Sequence, residues 1–167
     1  KTFRQELIRL QTLLKDTSRG GRFTPADNFH ITLHFIGESG DLSGAALAVE
    51  EAVRGIRPFA LHLGRISGFA RKEGYTAYVQ VLGQLEELNA LYESLQAALQ
   101  EQGFPQEQRA YVPHITLGRG VGLGAADLAA LGEVPANASM QVQEITLFES
   151  QRQGRGMVYL PLHRARI

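Results

Sequence analysis

Apolar residues recur at helical spacing at Phe3, Leu7, Leu10 and Leu14, with charged residues between them. This pattern predicts an amphipathic helix over residues 3–16. Residues 17–27 are polar and read as a loop. Residues 28–36 are β-branched and aromatic, which predicts a strand ended by Gly37–Gly40. Residues 41–53, rich in Ala, Leu and Glu, predict a second helix. Residues 59–69 and 75–82 predict two strands joined across Arg71-Lys72-Glu73-Gly74 as a hairpin. The clearest helix spans 84–102, with Leu85, Leu88, Leu91, Leu95 and Leu99 on one face and Gly103 at the stop position. A strand over 109–117, a short helix over 125–131 and a hairpin of 140–148 with 157–162 complete the pattern.

The order helix, strand, helix, hairpin thus occurs twice, displaced by 84 residues. It predicts an α+β fold of two pseudo-symmetric lobes, about 1–83 and 84–167, forming a single domain. Each lobe would be a mostly antiparallel sheet backed by helices, with a cleft between the lobes. No Pro-, Gly- or Ser-rich linker separates them, so they are expected to share one rigid body.

The repeat becomes chemically interesting because both predicted strands carry the same tetrapeptide. His30-Ile31-Thr32-Leu33 recurs as His114-Ile115-Thr116-Leu117 in a chain with only five histidines. On a strand His30 and Thr32 share one face while Ile31 and Leu33 turn to the core, and the second copy behaves likewise. An imidazole with an ordinary pKa of about 6.5 accepts a proton in one form and donates it in the other. Two of them make an acid and base pair for opening a phosphodiester. Two threonine hydroxyls would donate to the non-bridging oxygens whose charge grows as phosphorus becomes five-coordinate. The competing reading is a pair of hydrogen-bonded strand residues without chemistry.

Composition narrows the class further. Seventeen Lys and Arg balance seventeen Asp and Glu, so a polyanion would have to be held by local patches. The absence of Cys removes disulfides, thiol nucleophiles and the usual ligands of structural zinc. No apolar run approaches a membrane span and no leader is evident, so a cytoplasmic, monomeric protein without membrane contact is expected. The chain opens inside a helix without a methionine, which suggests an incomplete N-terminus.

Several residues lie around these pairs. His34 shares parity with His30, but on a strand the two would stand roughly 13 Å apart, too far to share a metal, so it reads as a further polar residue. His62 and His163 have no Thr partner and read as structural. Arg71 and Lys72 in one hairpin loop, and Arg152 and Arg155 in the other, could hold RNA phosphates but read first as solvated turns. Phe29, Phe69 and Tyr111 could stack a base but read first as core.

The chain resembles the two-histidine phosphoesterases, and among them the RNA 2′,3′-cyclic phosphodiesterases also called 2′-5′ RNA ligases. The resemblance rests on Asn28-Phe29-His30-Ile31-Thr32-Leu33, Phe35-Ile36-Gly37-Glu38, Pro113-His114-Ile115-Thr116-Leu117-Gly118-Arg119, Gly103-Phe104 and Leu147-Phe148-Glu149-Ser150. The apolar first strand usual in that family is absent, so a native first strand is expected upstream. The resemblance implies hydrolysis of an RNA or nucleotide 2′,3′-cyclic phosphate to a 2′-phosphate, with weak reverse 2′-5′ joining, no cofactor and no metal. It implies His30 as general acid and His114 as general base, assignments that a near-symmetric site allows to be exchanged. It further implies Thr32, Thr116 and Arg119 as phosphate-binding. Simple strand parity, however, turns Arg119 away from His114 unless the chain turns at Gly118. Two alternatives stay open: another small cyclic nucleotide or cyclic phosphosugar as substrate, or a non-catalytic RNA-end binding protein.

Overall fold

A computed structural model describes residues 2–167. They gather into two compact units, each drawn from three segments of chain: 2–32, 61–83 and 112–140 in the first, and 33–60, 84–111 and 141–167 in the second. The architecture is α+β.

In the first unit, α1 (Phe3–Thr17) opens on a capping box. The Thr2 hydroxyl accepts from the Gln5 amide, and the Gln5 side chain accepts from the Thr2 amide. Its apolar stripe is buried as the spacing predicts, with Leu10 and Leu14 fully inaccessible. The chain then forms the short strand β1 (Arg22–Phe23) and a 3₁₀ turn at Ala26–Asn28. The hairpin of β2 (Phe59–Arg71) and β3 (Gly74–Gly83), the strand β4 (His114–Val121), the helix α4 (Ala125–Gly132) and β5 (Ser139–Val142) follow in chain order, with two helices of the second unit, Leu42–Ala52 (α2) and Leu85–Glu101 (α3), between them in sequence. The sheet order is β1-β4-β3-β2-β5, and β1–β4, β4–β3 and β3–β2 are antiparallel. A strand of the second motif therefore lies against the hairpin of the first half.

The core of this unit is Ile66, Ala77, Val79, Ile115, Leu117 and Val121, each 2% exposed or less. Gln11, itself buried, donates from Nε2 to the Thr24 and Leu117 carbonyls at 2.7 and 2.9 Å and so fixes α1 to β4. Buried Glu6 pairs with Arg9 and accepts from the Asn137 amide, while Arg9 donates to the Pro135 carbonyl. These bonds tie the chain after α4 to α1.

In the second unit, α2 (Leu42–Ala52) begins at Asp41, whose carboxylate accepts from the Gly44 amide. It packs Ala45, Ala48, Val49 and Ala52 against α3 (Leu85–Glu101), which contributes Leu88, Leu91, Leu95, Ala98 and Leu99. The alanines allow close approach, and the Ser94 hydroxyl reaches the Ala52 carbonyl at 2.8 Å. Gly103, at φ +87°, ends α3 in a conformation that a side chain would oppose. The hairpin of β6 (Glu144–Gln153) and β7 (Gly156–Arg166) closes the unit on α2.

Three sequence expectations fail here. The strand expected over 140–148 breaks at Gln143 into β5, which joins the five-stranded sheet, and β6, which pairs with β7. Residues 28–36 do not form a strand: after the 3₁₀ turn the chain continues without a ladder partner and bends at Leu33. Composition selects an extended backbone, but strand pairing is a tertiary event. The second motif strand starts at His114 rather than at 109 and continues to Val121. Pro113 has no amide to give a ladder, and the Val112 carbonyl is taken by an imidazole. Among the described residues, no helix is long and apolar enough to cross a membrane.

Candidate active site

The first motif is delivered by β1. Phe23 pairs with Gly118, and the Thr24 amide reaches the Leu117 carbonyl at 2.9 Å. The chain thus runs antiparallel to β4, toward the end where His114 stands. The Asn28 amide then closes the 3₁₀ turn on the Pro25 carbonyl at 2.8 Å. The Asn28 carbonyl accepts from His30 Nδ1 at 2.7 Å, and His30 Nε2 lies 3.1 Å from Thr32 Oγ1. A carbonyl can only accept, so the neutral ring carries its proton on Nδ1, and the Thr32 hydroxyl donates to Nε2. His30 and Thr32 are exposed while Ile31 and Leu33 are partly buried. The two-residue alternation predicted for a strand survives without the ladder.

The second motif repeats the anchor on regular strand. His114 Nδ1 donates to the Val112 carbonyl at 2.7 Å, again two residues back, leaving Nε2 as the nitrogen for proton exchange. Ile115 and Leu117 fill the core at 2% and 0% exposure, which turns His114 and Thr116 to the opposite face. Tyr78 lies opposite Thr116, and Gln80 opposite His114. The His114 ring meets the edges or faces of two aromatic rings, with centroids 5.6 Å from Phe69 and 5.2 Å from Tyr78. Those two rings stack on each other at 4.5 Å. Two aromatic walls and one hydrogen bond hold the imidazole plane.

Arg119 corrects the parity argument. Between the pairs Tyr78↔Thr116 and Ala77↔Gly118, β3 advances one residue while β4 advances two. This bulge reverses the alternation, so Leu117 and Gly118 are both buried and exposed Arg119 falls on the His114–Thr116 face. A Cβ on Gly118 would come 3.0 Å from the Phe23 ring, which explains glycine at the bulge.

The remaining candidates divide plainly. His34 is part of the second unit's packing: buried Gln96 donates to its Nδ1 at 2.8 Å and accepts from the Glu107 amide at 3.3 Å. Burial lowers its pKa, with Glu107 pulling weakly the other way. His62 lies 3.4 Å from the Leu63 carbonyl, and His163 Nε2 sits 2.7 Å from Glu50. Tyr111 stacks on Tyr92 at 4.3 Å with nearly parallel planes, and burial pushes its phenol pKa up. Phe29 is partly buried beside the motif, while Arg152 and Arg155 are exposed at the β6–β7 turn. Among the described residues, no three His, Asp or Glu side chains gather as a metal-ligand set. Sequence reasoning named Phe69 but missed its contact with His114, and missed Tyr78. Only pairing of β3 with β4 brings these residues together, so no local signal marks them. All five candidate residues, His30, Thr32, His114, Thr116 and Arg119, belong to the first unit.

A family model described as the 2′-5′ RNA ligase superfamily matches residues 5–154. A protein of Methanothermobacter thermautotrophicus named RNA 2′,3′-cyclic phosphodiesterase is 31% identical over 163 residues, covering 93% of this chain and 88% of the relative. One of the same name from Aeropyrum pernix is 30% identical, covering 94% and 92%. Among solved structures, E. coli LigT complexed with 3′-AMP superposes with a TM-score of 0.77 at 25% identity, covering 100% of this chain and 94% of that one. A Thermus thermophilus protein gives 0.76 at 23%, covering 98% and 90%, a likeness of fold. A match over so much of the chain places it in a family: it belongs to the 2′-5′ RNA ligase superfamily of two-histidine phosphoesterases.

Proposed function

We propose that this chain, acting over 1–167 as one domain, opens the 2′,3′-cyclic phosphate at an RNA or nucleotide end to a 2′-phosphate, without a metal. The observation that carries the reading is the matched anchoring of His30 and His114, each through Nδ1 to the carbonyl two residues back. In this arrangement Nε2 of each ring is the working nitrogen, and its tautomer is set before substrate arrives. Neutral His114 takes a proton from water as the water oxygen bonds to phosphorus. The P–O3′ bond breaks, and protonated His30 gives its Nε2 proton to the departing O3′. Thr32 and Thr116 donate to the non-bridging oxygens, and Arg119 offsets their charge. An RNA 5′-hydroxyl in place of water would give a 2′-5′ linkage by the same transfers. The names borne by the two relatives at 30–31% identity support the substrate, and the resemblance supports the direction of proton transfer.

The test is incubation with 2′,3′-cyclic UMP and with a short RNA bearing that end, in excess chelator, with the product identified by chromatography. A 2′-phosphate is expected. A 3′-phosphate, or a requirement for added metal, overturns the mechanism.

A further inference from the structure

The face of the first unit's sheet that carries His114 and Thr116 continues past them into a row of cations. In an antiparallel ladder, directly opposed residues project to one face. Arg22 of β1 lies opposite Arg119 of β4, so the two guanidinium groups share the face onto which the bulge has turned Arg119. Thr76 of β3 sits between the pairs Ala77↔Gly118 and Tyr75↔Val121, and therefore beside Arg119. Thr76 in turn lies opposite Phe69. Arg71, two residues beyond Phe69 on β2, places its guanidinium over the Phe69 ring at 5.4 Å. Phe69 itself contacts His114. From β1 to β2 the row thus reads Arg22, Arg119, Thr76 and then Phe69 with Arg71, one step along the strands from Thr116. Lys72 stands at the adjoining turn, exposed like the three arginines. Acidic Glu73 touches this row, 3.5 Å from Arg22, with both groups more than 70% exposed.

We infer that this row is a binding path for the phosphates of a single RNA strand upstream of the reacting end, so that the substrate class is oligonucleotide rather than mononucleotide. The inference rests on the phosphodiesterase reading for the identity of the reacting end. A 2′,3′-cyclic phosphate terminates its strand, so every other phosphate lies on the 5′ side of the terminal ribose. The strand must leave the reacting phosphate in one direction. The row supplies the chemistry for that exit: guanidinium groups that fork onto phosphate oxygens, one of them held over the Phe69 ring. The chain as a whole is neutral, so this local concentration is not a by-product of a basic composition. Glu73 competes with phosphate for Arg22 and sets a brake on binding.

The experiment compares an octanucleotide ending in a 2′,3′-cyclic phosphate with 2′,3′-cyclic UMP across a salt series, for the native protein, Arg22→Ala, Arg22→Ala/Arg71→Ala and Glu73→Gln. Expected is a roughly tenfold loss of kcat/KM on the octanucleotide in the double variant, with cyclic UMP turnover within about twofold of native. Removing each arginine that neutralises a phosphate should also flatten the log–log salt slope by roughly 0.7. Glu73→Gln should raise octanucleotide kcat/KM, a gain that damage to the fold would not produce. Equal losses on both substrates, no loss on either, or no gain in Glu73→Gln would overturn the path. Fluorescence anisotropy with a labelled octanucleotide ending in a 3′-hydroxyl reads strand binding without chemistry. If the native protein hydrolyses neither substrate, the phosphodiesterase reading fails, and the path then stands or falls on whether the double variant weakens this binding.

Discussion

His30 and His114 both commit Nδ1 to the carbonyl two residues back, yet their surroundings differ. His30 Nε2 meets the Thr32 hydroxyl, while the His114 ring is clasped by Phe69 and Tyr78. Replacing either histidine by Ala should reduce the chemical step by about two to four orders of magnitude, the usual range for loss of a general acid or base. If both single variants keep native turnover, the chemistry lies elsewhere. The profile of kcat/KM against pH should be bell-shaped, because one imidazole must be neutral and the other charged, and its two limbs belong to the pair rather than to either ring. A monotonic profile would count against paired roles. Thr32→Val keeps the shape of the side chain and removes the donor. It should lower kcat by about a hundredfold, as loss of one charge-stabilising donor does elsewhere, with little change in Tm.

Among the elements, the seam between α1 and β4 holds the motif strand in place, and Gln11 is its polar link. Gln11→Ala would leave two carbonyls, one of them buried, without this donor and should cost roughly 1–3 kcal/mol in urea unfolding. A change under a few tenths would show that water replaces the amide. In the second unit, Gln96 holds half-buried His34 against α3 with its Nδ1 as acceptor. Burial favours the neutral ring, so the folded state binds its proton less readily than the unfolded chain does. The stability contributed by neutral His34 is therefore present above about pH 6.5 and lost as pH falls toward the lowered folded value. His34→Gln should show a smaller fall in Tm between pH 7 and pH 5 than the native protein. An identical fall in both would remove His34 from the account.

At the scale of the whole molecule, the two sequence halves do not coincide with the two compact units. The first unit takes α1 and the β2–β3 hairpin from one half, and β4 and α4 from the other, with β4 inserted between β1 and β3. A fragment of residues 1–83 would leave the β4-facing edge of β3 and the core side chains Ala77 and Val79 without their partner strand. Expressed alone, it should lack cooperative urea unfolding, and adding residues 84–167 in trans should restore it. A fragment that unfolds cooperatively by itself would show that the hairpin and α1 suffice.

Much of this was legible in local sequence. Helical spacing located α1 and α3 to within a residue or two, because burying one apolar face on a 3.6-residue period is a local requirement, and helix-forming composition located α2 as closely. Turn residues located the β2–β3 hairpin and the tip of the β6–β7 hairpin for a similar reason. The repeated His-Ile-Thr-Leu strings pointed to four of the five candidate residues, and the two-residue alternation of the first string holds even where no ladder forms. Tertiary structure decided what depends on partners far along the chain. No strand pairs with residues 28–36, so their β-forming composition yields no ladder. The bulge that turns Arg119 onto the His114 face exists only in the register of β3 with β4, and so does the meeting of Phe69 and Tyr78 at His114. The anchors on the Asn28 and Val112 carbonyls use backbone atoms that every residue possesses. Residue identity therefore cannot announce them, and only the folded path of the chain brings them within reach of the rings.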